Sequence, residues 1–98
     1  MNGNDASIRI DPSDDGFGLV LNCAVRYALG RRTYVPSSVA SFITPLLPHV
    51  SDTTLGCFER DLSEAIRNGN LGDPSIDAPV WHGFKAALDA ERRRRSDA

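Results

Sequence analysis

Hydrophobic residues recur at helical spacing in four segments of the chain, with polar or helix-breaking residues between them. In residues 14–29 the apolar side chains return every three or four positions, as on one face of an α-helix. The residues of this stripe are Phe17, Val20, Leu21, Ala24, Ala28 and Leu29. Ser13, Asp14 and Asp15 favour a capped helix start, and Gly30 can take the left-handed conformation that ends a helix. The pattern predicts a first helix over residues 14–29.

The second segment follows a short loop at residues 31–35 and is interrupted by prolines. Pro36 is typical of a first helical turn, and Ser37 or Ser38 is a candidate cap. Pro45 lies inside the apolar stripe, so we expect an irregular last turn, and Pro48 ends the helix. The residues of this second stripe are Val39, Phe42, Ile43, Leu46 and Leu47.

Two further helices are predicted over residues 51–67 and residues 77–91. Ser51 caps the third helix and Asn68-Gly69 ends it, while Asp77 caps the fourth, which has Pro79 in its first turn. Their stripes are Leu55, Phe58, Leu62, Ala65 and Ile66 in the third helix, and Val80, Trp81, Phe84, Ala87 and Leu88 in the fourth. We therefore expect an all-α fold, a compact irregular bundle of about four helices over residues 14–91, with an extended N-terminal arm at residues 1–13.

The distribution of charge divides the chain into an acidic body and a basic tail. The 98 residues carry a formal net charge of −2, from 13 acidic and 11 basic side chains. Residues 1–91 hold 12 of the acidic and 7 of the basic side chains, which is −5, and residues 92–98 hold four arginines and one aspartate, which is +3. The near-neutral total therefore hides an acidic helical domain and a basic C-terminal tail.

The chain shows no pattern of a membrane, secreted or metal-binding protein. No apolar run approaches the ~20 residues of a membrane-spanning helix, and the N-terminus lacks the pattern of a secretory signal. We expect a cytoplasmic protein with Cys23 and Cys57 as free thiols. The two cysteines, His49 and His82 lack metal-ligand spacing, so no metal and no cofactor is predicted.

Catalytic and phosphate-binding motifs are also missing from the sequence. Nothing places a base next to Cys57, which a nucleophile would need. The glycines at residues 16–18 and 69–72 fit neither the P-loop nor the dinucleotide-binding pattern. The expectation is a protein that is not an enzyme.

Nucleic-acid binding is disfavoured by the charge of the third helix. The short turn between the second and third helices suggests a helix-turn-helix, but the third helix carries Asp52, Glu59, Asp61 and Glu64 against two arginines. Phosphates would repel such a surface. An alternative hypothesis of nucleic-acid binding relies on arginine clusters outside the third helix. The candidate contacts of this hypothesis are Arg31, Arg32, Arg92, Arg93, Arg94 and Arg95.

Acidic residues are the other candidates for contacts with a partner. Spaced carboxylates can satisfy arginine and lysine side chains as phosphates do, so an acidic surface can imitate a nucleic-acid backbone. Helix capping and solvation explain the same charges equally simply. The candidate partner-binding residues are Asp14, Asp15, Glu59, Asp61, Glu64 and Asp73.

Two segments resemble sequences of short proteins from phages and mobile elements. They are residues 22–36, which read NCAVRYALGRRTYVP, and residues 76–84, which read IDAPVWHGF and are followed by Leu88. The resemblance implies an inhibitor of host defence of the anti-CRISPR type, a class with small, acidic, non-enzymatic members that occupy the DNA-binding surface of a CRISPR effector complex. It defines no catalytic motif.

Three functional hypotheses follow from these observations. The first is a non-enzymatic inhibitor that binds a basic surface of a CRISPR effector subunit in a bacterial host cell, as a monomer or weak dimer. The second is a small nucleic-acid-binding or regulatory protein that uses the arginine clusters. The third is an adaptor that pairs through an apolar patch, with homodimerisation as one form.

Overall fold

The computed structural model of the chain describes residues 10–31 and 33–97, and the described residues form four helices and no strand. The helices are α1 (Asp15–Ala28), α2 (Pro36–Ile43), α3 (Asp52–Arg67) and α4 (Asp77–Asp97). A 3₁₀ turn follows α1 at Leu29–Arg31, and another follows α2 at Thr44–His49. The predicted all-α fold is confirmed, while residues 1–9 of the predicted arm lie outside the described residues.

Helix α1 begins and ends at residues that the sequence pattern identified. The carboxylate of Asp14 accepts a hydrogen bond from the backbone N–H of Phe17 at 2.9 Å, which caps the first turn. After the helix, Gly30 has φ of 72°, the left-handed conformation that glycine adopts without strain. The turn at Gly30 lets the chain reverse toward α2.

Prolines determine where helix α2 begins and ends. Val35 is the N-cap residue and makes no side-chain cap bond, so the prediction of Ser37 or Ser38 as cap is wrong. Pro36 is already the first helical residue, and its fixed φ supports the start without a capping side chain. The irregular turn expected at Pro45 is confirmed, because the chain tightens into 3₁₀ geometry from Thr44.

Helix α3 begins as predicted, and α4 extends further than predicted. The hydroxyl of Ser51 accepts from the N–H of Thr54 at 3.1 Å. Asp77 is the first residue of α4 and is buried, and its Oδ2 accepts from the N–H of Asp73 at 2.9 Å. The helix continues to Asp97, so residues 92–97, expected as a basic tail, are its last turns.

The core lies where the inward faces of the four helices meet. Trp81 and Phe84 from α4 pack edge to face with ring centroids 5.8 Å apart, and Phe58 from α3 packs on Phe84 at 6.0 Å. Helices α1 and α3 cross closely at Gly18, where an added Cβ would collide with the side chain of Thr54. The other buried apolar residues are Leu21, Val25, Ala28, Leu29, Ala40, Ile43, Leu47, Val50, Leu55, Leu62, Ala65 and Leu88.

Two residues assigned to the apolar stripes face solvent. Val20 in α1 and Phe42 in α2 are each 62% exposed, so the prediction that they face the core is wrong. Each lies at the border of its stripe, and the buried arc of each helix is narrower than the run of apolar residues. Val20 and Phe42 are therefore candidates for contact with a partner.

Candidate functional site

The acidic residues near helix starts are used by the fold itself. Asp14 caps α1, and Asp15 accepts a hydrogen bond from the hydroxyl of Ser51 at 2.5 Å. Asp73 accepts from the backbone N–H groups of Ser75 and Ile76 at 2.7 and 3.0 Å. These three carboxylates therefore stabilise turns and helix ends, as the capping explanation expects.

The three acidic candidates on α3 have different surroundings. Glu59 accepts a forked pair of hydrogen bonds from Arg92 of α4, at 2.6 and 3.2 Å. Asp61 accepts from the side-chain N–H of buried Asn22 at 2.9 Å and from Arg60 at 3.1 Å. Glu64 is exposed, and its side chain makes no hydrogen bond or ion pair with the described residues. Of the six predicted contact carboxylates, Glu64 alone has no such bond to the described part of the chain.

A small polar pocket between α1 and α3 brings two of these acids together. Its volume is about 180 Å³. Besides Asp61 and Glu64, it is lined by Arg26, which is exposed and makes no ion pair with the described residues. The pocket thus mixes both signs of charge. Its remaining lining residues are Leu29, Ala65, Asn68 and Asn70.

The arginines at the end of α4 form a network, here called the arginine cluster. It comprises Arg92, Arg94 and Arg95 together with the carboxylates that they bind, which are Asp52, Glu59 and Glu91. Planar guanidinium groups match carboxylates with two parallel hydrogen bonds, which makes such pairs specific in geometry. The cluster joins the C-terminal turns of α4 to α3.

Arg95 also ties α4 to the turn that precedes α3. Its Nη2 donates to the backbone carbonyl oxygens of Leu47 and Val50 at 2.8 and 2.7 Å, and its Nη1 donates to Asp52 at 2.7 Å. The carbonyls belong to a proline-containing segment without regular α-helical bonding. Arg95 therefore supplies donors that the backbone itself does not provide there.

Glu91 is the carboxylate at the centre of the arginine cluster. Its side chain is only 7% exposed and accepts from Arg94 at 2.5 and 3.0 Å and from Arg95 at 2.7 Å. Hydrogen bonds from Arg94 and then Arg95 favour the charged form more than burial opposes it, and they lower the pKa of Glu91 from 4.5 to about 2.

Three of the six predicted basic contacts, Arg92, Arg94 and Arg95, are therefore engaged within the fold. Arg93 is exposed and has no hydrogen bond or ion pair to the described residues. Arg32 and the side chain of Arg31 lie outside what the structure describes. The C-terminal arginines form a structural connection between α4, α3 and the preceding turn, a role that the sequence reasoning missed because their carboxylate partners lie far away along the chain.

The described residues also include a set of exposed apolar side chains on α1, on α2 and on the loop between them. Val20, Ala24 and Tyr27 lie at i, i+4 and i+7 and so share one flank of α1. Beside this flank stand exposed Tyr34, Val35 and Phe42 from the loop and from α2. We call these six residues, with Val39 and Thr33 between them, the α1–α2 surface. Leu19, 63% exposed, lies at its edge.

A groove runs along the α1–α2 surface. Its volume is about 480 Å³ and its accessible lining is mostly apolar. Phe42 and Tyr34 stand among its walls. The full lining is Ala24, Thr33, Tyr34, Val35, Ser38, Val39 and Phe42.

Backbone contacts hold the loop side of the groove in place. The N–H groups of Thr33 and Tyr34 donate to the carbonyl oxygen of Tyr27 at 2.9 and 3.2 Å. The rings of Tyr27 and Tyr34 meet edge to face with centroids 6.3 Å apart. The aromatic rim is thus fixed to α1.

The α1–α2 surface is almost free of charge. Residues 33–51 contain no Asp, Glu, Lys or Arg, in a chain that is 24% charged. Val20, Ala24 and Tyr27 add none from α1. A patch of exposed apolar groups with polar but uncharged neighbours has the composition of a protein contact more than of an ordinary solvated face.

Other classes of site find little support in the described residues. Among residues 10–31 and 33–97, no three His, Cys, Asp or Glu side chains are grouped to hold a metal ion. Within the same ranges, no helix combines the length and apolar character needed to cross a membrane. Comparison with protein-family models, curated proteins and solved structures gives no match to this chain.

Proposed function

We propose that the protein works without chemistry of its own, by binding another protein through the α1–α2 surface. One observation carries this proposal: Tyr34, Val35 and Phe42 line one groove and are 43–62% exposed. Val20 and Tyr27, which are 62% and 51% exposed, lie on the same α1–α2 surface. Exposing such groups to water costs free energy, which a partner recovers when it covers them. Aromatic side chains are also the residues that most often dominate binding energy at protein interfaces.

The chemistry of the surface defines the kind of partner contact. Because residues 33–51 carry no formal charge, the contact would rest on apolar packing and on hydrogen bonds to the Ser and Thr hydroxyls. The resemblance of residues 22–36 to phage and mobile-element proteins includes Ala24, Tyr27, Tyr34 and Val35 of this surface. A CRISPR effector subunit, in the cytoplasm of a bacterial host, is therefore the proposed partner.

A narrower form of the acidic hypothesis is a second candidate. Glu64 and Arg26 line one pocket and are each without a hydrogen bond or ion pair to the described residues. A basic side chain of an effector subunit could bind Glu64 and Asp61 there. Glu59 is a weak candidate for such a contact because it is already bound by Arg92.

Matched variants separate the two candidates. Phe42→Ser removes a ring that is 62% exposed, Ile76→Ser removes an apolar side chain that is 60% exposed outside the α1–α2 surface, and Glu64→Lys reverses the unpaired acid. Each protein is titrated against a panel of purified CRISPR effector complexes. Binding and the inhibition of DNA binding by the effector are both measured.

The proposal expects that the natural protein and the Ile76→Ser and Glu64→Lys variants bind one complex. It also expects that Phe42→Ser weakens that binding about tenfold or more. Loss of binding in Glu64→Lys together with full binding by Phe42→Ser would favour the acidic pocket instead. Failure of the natural protein to bind any complex would reject the effector as partner.

A further inference from the structure

We infer that the free protein pairs with a second copy of itself through the α1–α2 surface. The inference rests on the proposed function, because it takes the same surface to be a protein contact. A second copy is the occupant that the charge, the shape and the area of this surface favour together.

Charge favours self-pairing at this face above the other faces. In a two-fold contact one patch faces a second copy of the same patch, so a patch with a net charge of one sign is opposed by that same charge. The α1–α2 surface avoids this repulsion because residues 33–51 contain no Asp, Glu, Lys or Arg. Helix α3, by contrast, carries Asp52, Glu59, Asp61 and Glu64 against two arginines. Two copies of that helix would repel each other.

The shape of the surface suits a two-fold interface. In such an interface both copies use the same patch, so the patch must be complementary to itself, and a projection beside a matching recess meets this requirement. Here Phe42 is the projection, since 62% of its side chain is exposed. The groove of about 480 Å³ that Phe42 borders is the recess, and Ala24 and Val39 also line it. In the pair, Phe42 of each copy lies in the groove of the other.

The exposed area is of the order that a modest dimer requires. A fully buried aromatic side chain contributes about 150–250 Å². Tyr27, Tyr34 and Phe42 are 51%, 48% and 62% exposed and together offer roughly 300 Å² by that measure. Val20, Val35 and Leu19 add to this, and the patch stays below the ~800 Å² per partner of a standard interface, in the size class of weak associations. We expect a dimer with a dissociation constant in the micromolar range.

Analytical ultracentrifugation of the full chain over a wide concentration series tests the inference. Reducing agent is present throughout, and Cys23→Ser is run in parallel, because Cys23 is exposed and could form an intermolecular disulfide. The natural protein and Cys23→Ser are expected to show the same reversible monomer–dimer equilibrium. A protein that stays monomeric at every concentration would overturn the inference.

The location of the contact is tested with the variants Phe42→Ser and Ile76→Ser. Because a two-fold interface contains each residue twice, Phe42→Ser removes two ring contacts and should raise the dissociation constant at least about tenfold. Ile76→Ser, a side chain of similar exposure elsewhere, should leave it unchanged. Undiminished dimerisation of Phe42→Ser, with circular dichroism showing both variants folded, would place the contact on another face and overturn the inference.

The same variants distinguish failure of this inference from failure of the proposed function. If the natural protein is monomeric but Phe42→Ser loses binding to an effector complex, the self-pairing inference fails and the proposed function stands. If the dimer forms through Phe42 but no effector binds, the inference stands and the proposed partner fails.

Discussion

The arginine cluster and the α1–α2 surface use their side chains in opposite ways. At the end of α4, charged groups such as Glu91 and Arg95 are mostly covered and bound to each other and to backbone carbonyls. On α1 and α2, large apolar groups such as Val20 and Phe42 are exposed, and no element of residues 10–31 and 33–97 covers them. The difference indicates that the charges stabilise the fold, whereas the apolar groups are available for a partner.

The largest effect should come from breaking the centre of the arginine cluster. Glu91→Ala leaves Arg94 and Arg95 without their shared carboxylate, and removing one member of a mostly buried ion pair is costly. We expect a loss of about 2–4 kcal/mol in the free energy of unfolding, measured by chemical denaturation. Arg93→Ala is the matched control at an exposed position, with an expected change within about 0.5 kcal/mol. Equal effects of the two substitutions would mean that the cluster does not stabilise the fold.

The fold could be predicted from the sequence because its main signals are local. Helical spacing, the caps Asp14 and Ser51, and the helix-ending Gly30 each act within a few residues of the chain. The turn after α2 followed equally directly from the position of Pro45. Local signals of this kind are sufficient to predict the all-α class and the approximate limits of the four helices.

The arrangement of the candidate site depends on contacts between distant residues and could not be predicted in the same way. Arg92 meets Glu59 and Arg95 meets Leu47 and Val50 only after α4 packs against α3 and the preceding turn. The exposure of Phe42 depends on which part of an apolar stripe the neighbouring helices cover. One signal was present in the sequence: residues 33–51 lack charge altogether, which is unusual for a solvated segment of a chain so rich in charge.

The contribution of the arginine cluster to the free energy of unfolding should depend on pH between about 2 and 4.5. Because the pKa of Glu91 is lowered to about 2 from 4.5, the unfolded chain binds a proton at this group between these values and the folded chain does not. The contribution of Glu91 is fully present above about pH 4.5 and is lost as the pH falls through about 2. Denaturation of the natural protein and Glu91→Gln across this window should show a stability difference that shrinks as pH falls. A constant difference would contradict the assigned pKa.

Charge reversal on α3 should separate bound acids from free ones. Glu59→Lys places a cation against Arg92 and should cost about 1–2 kcal/mol, because it replaces an attractive pair by a repulsive one. Glu64→Lys should change the free energy of unfolding by less than about 0.5 kcal/mol, since Glu64 is exposed and unpaired within the described residues. Thermal denaturation of both variants shows whether Glu59→Lys loses more stability than Glu64→Lys. A larger loss in Glu64→Lys would show that the polar pocket is structural.

The smallest effect on stability, with a large effect on association, is expected at the α1–α2 surface. Phe42→Ser should leave the free energy of unfolding of the monomer within about 0.5 kcal/mol of the natural value, because the ring is mostly solvated. Added sodium chloride should not weaken association through this uncharged surface, although it screens contacts between exposed charges. Ultracentrifugation at low and high salt provides the measurement. Marked weakening by salt would show that charges hold the copies together.

The most direct test of the central claim is a map of the contact at single-residue resolution. Two-dimensional ¹H–¹⁵N NMR spectra of the full chain are recorded over a concentration series, and the amide shifts that change are assigned. The account predicts changes concentrated at residues 19–27 and 33–42, with little change at residues 91–97 of the arginine cluster. Changes confined to α3 and the end of α4, or no change at any concentration, would contradict it.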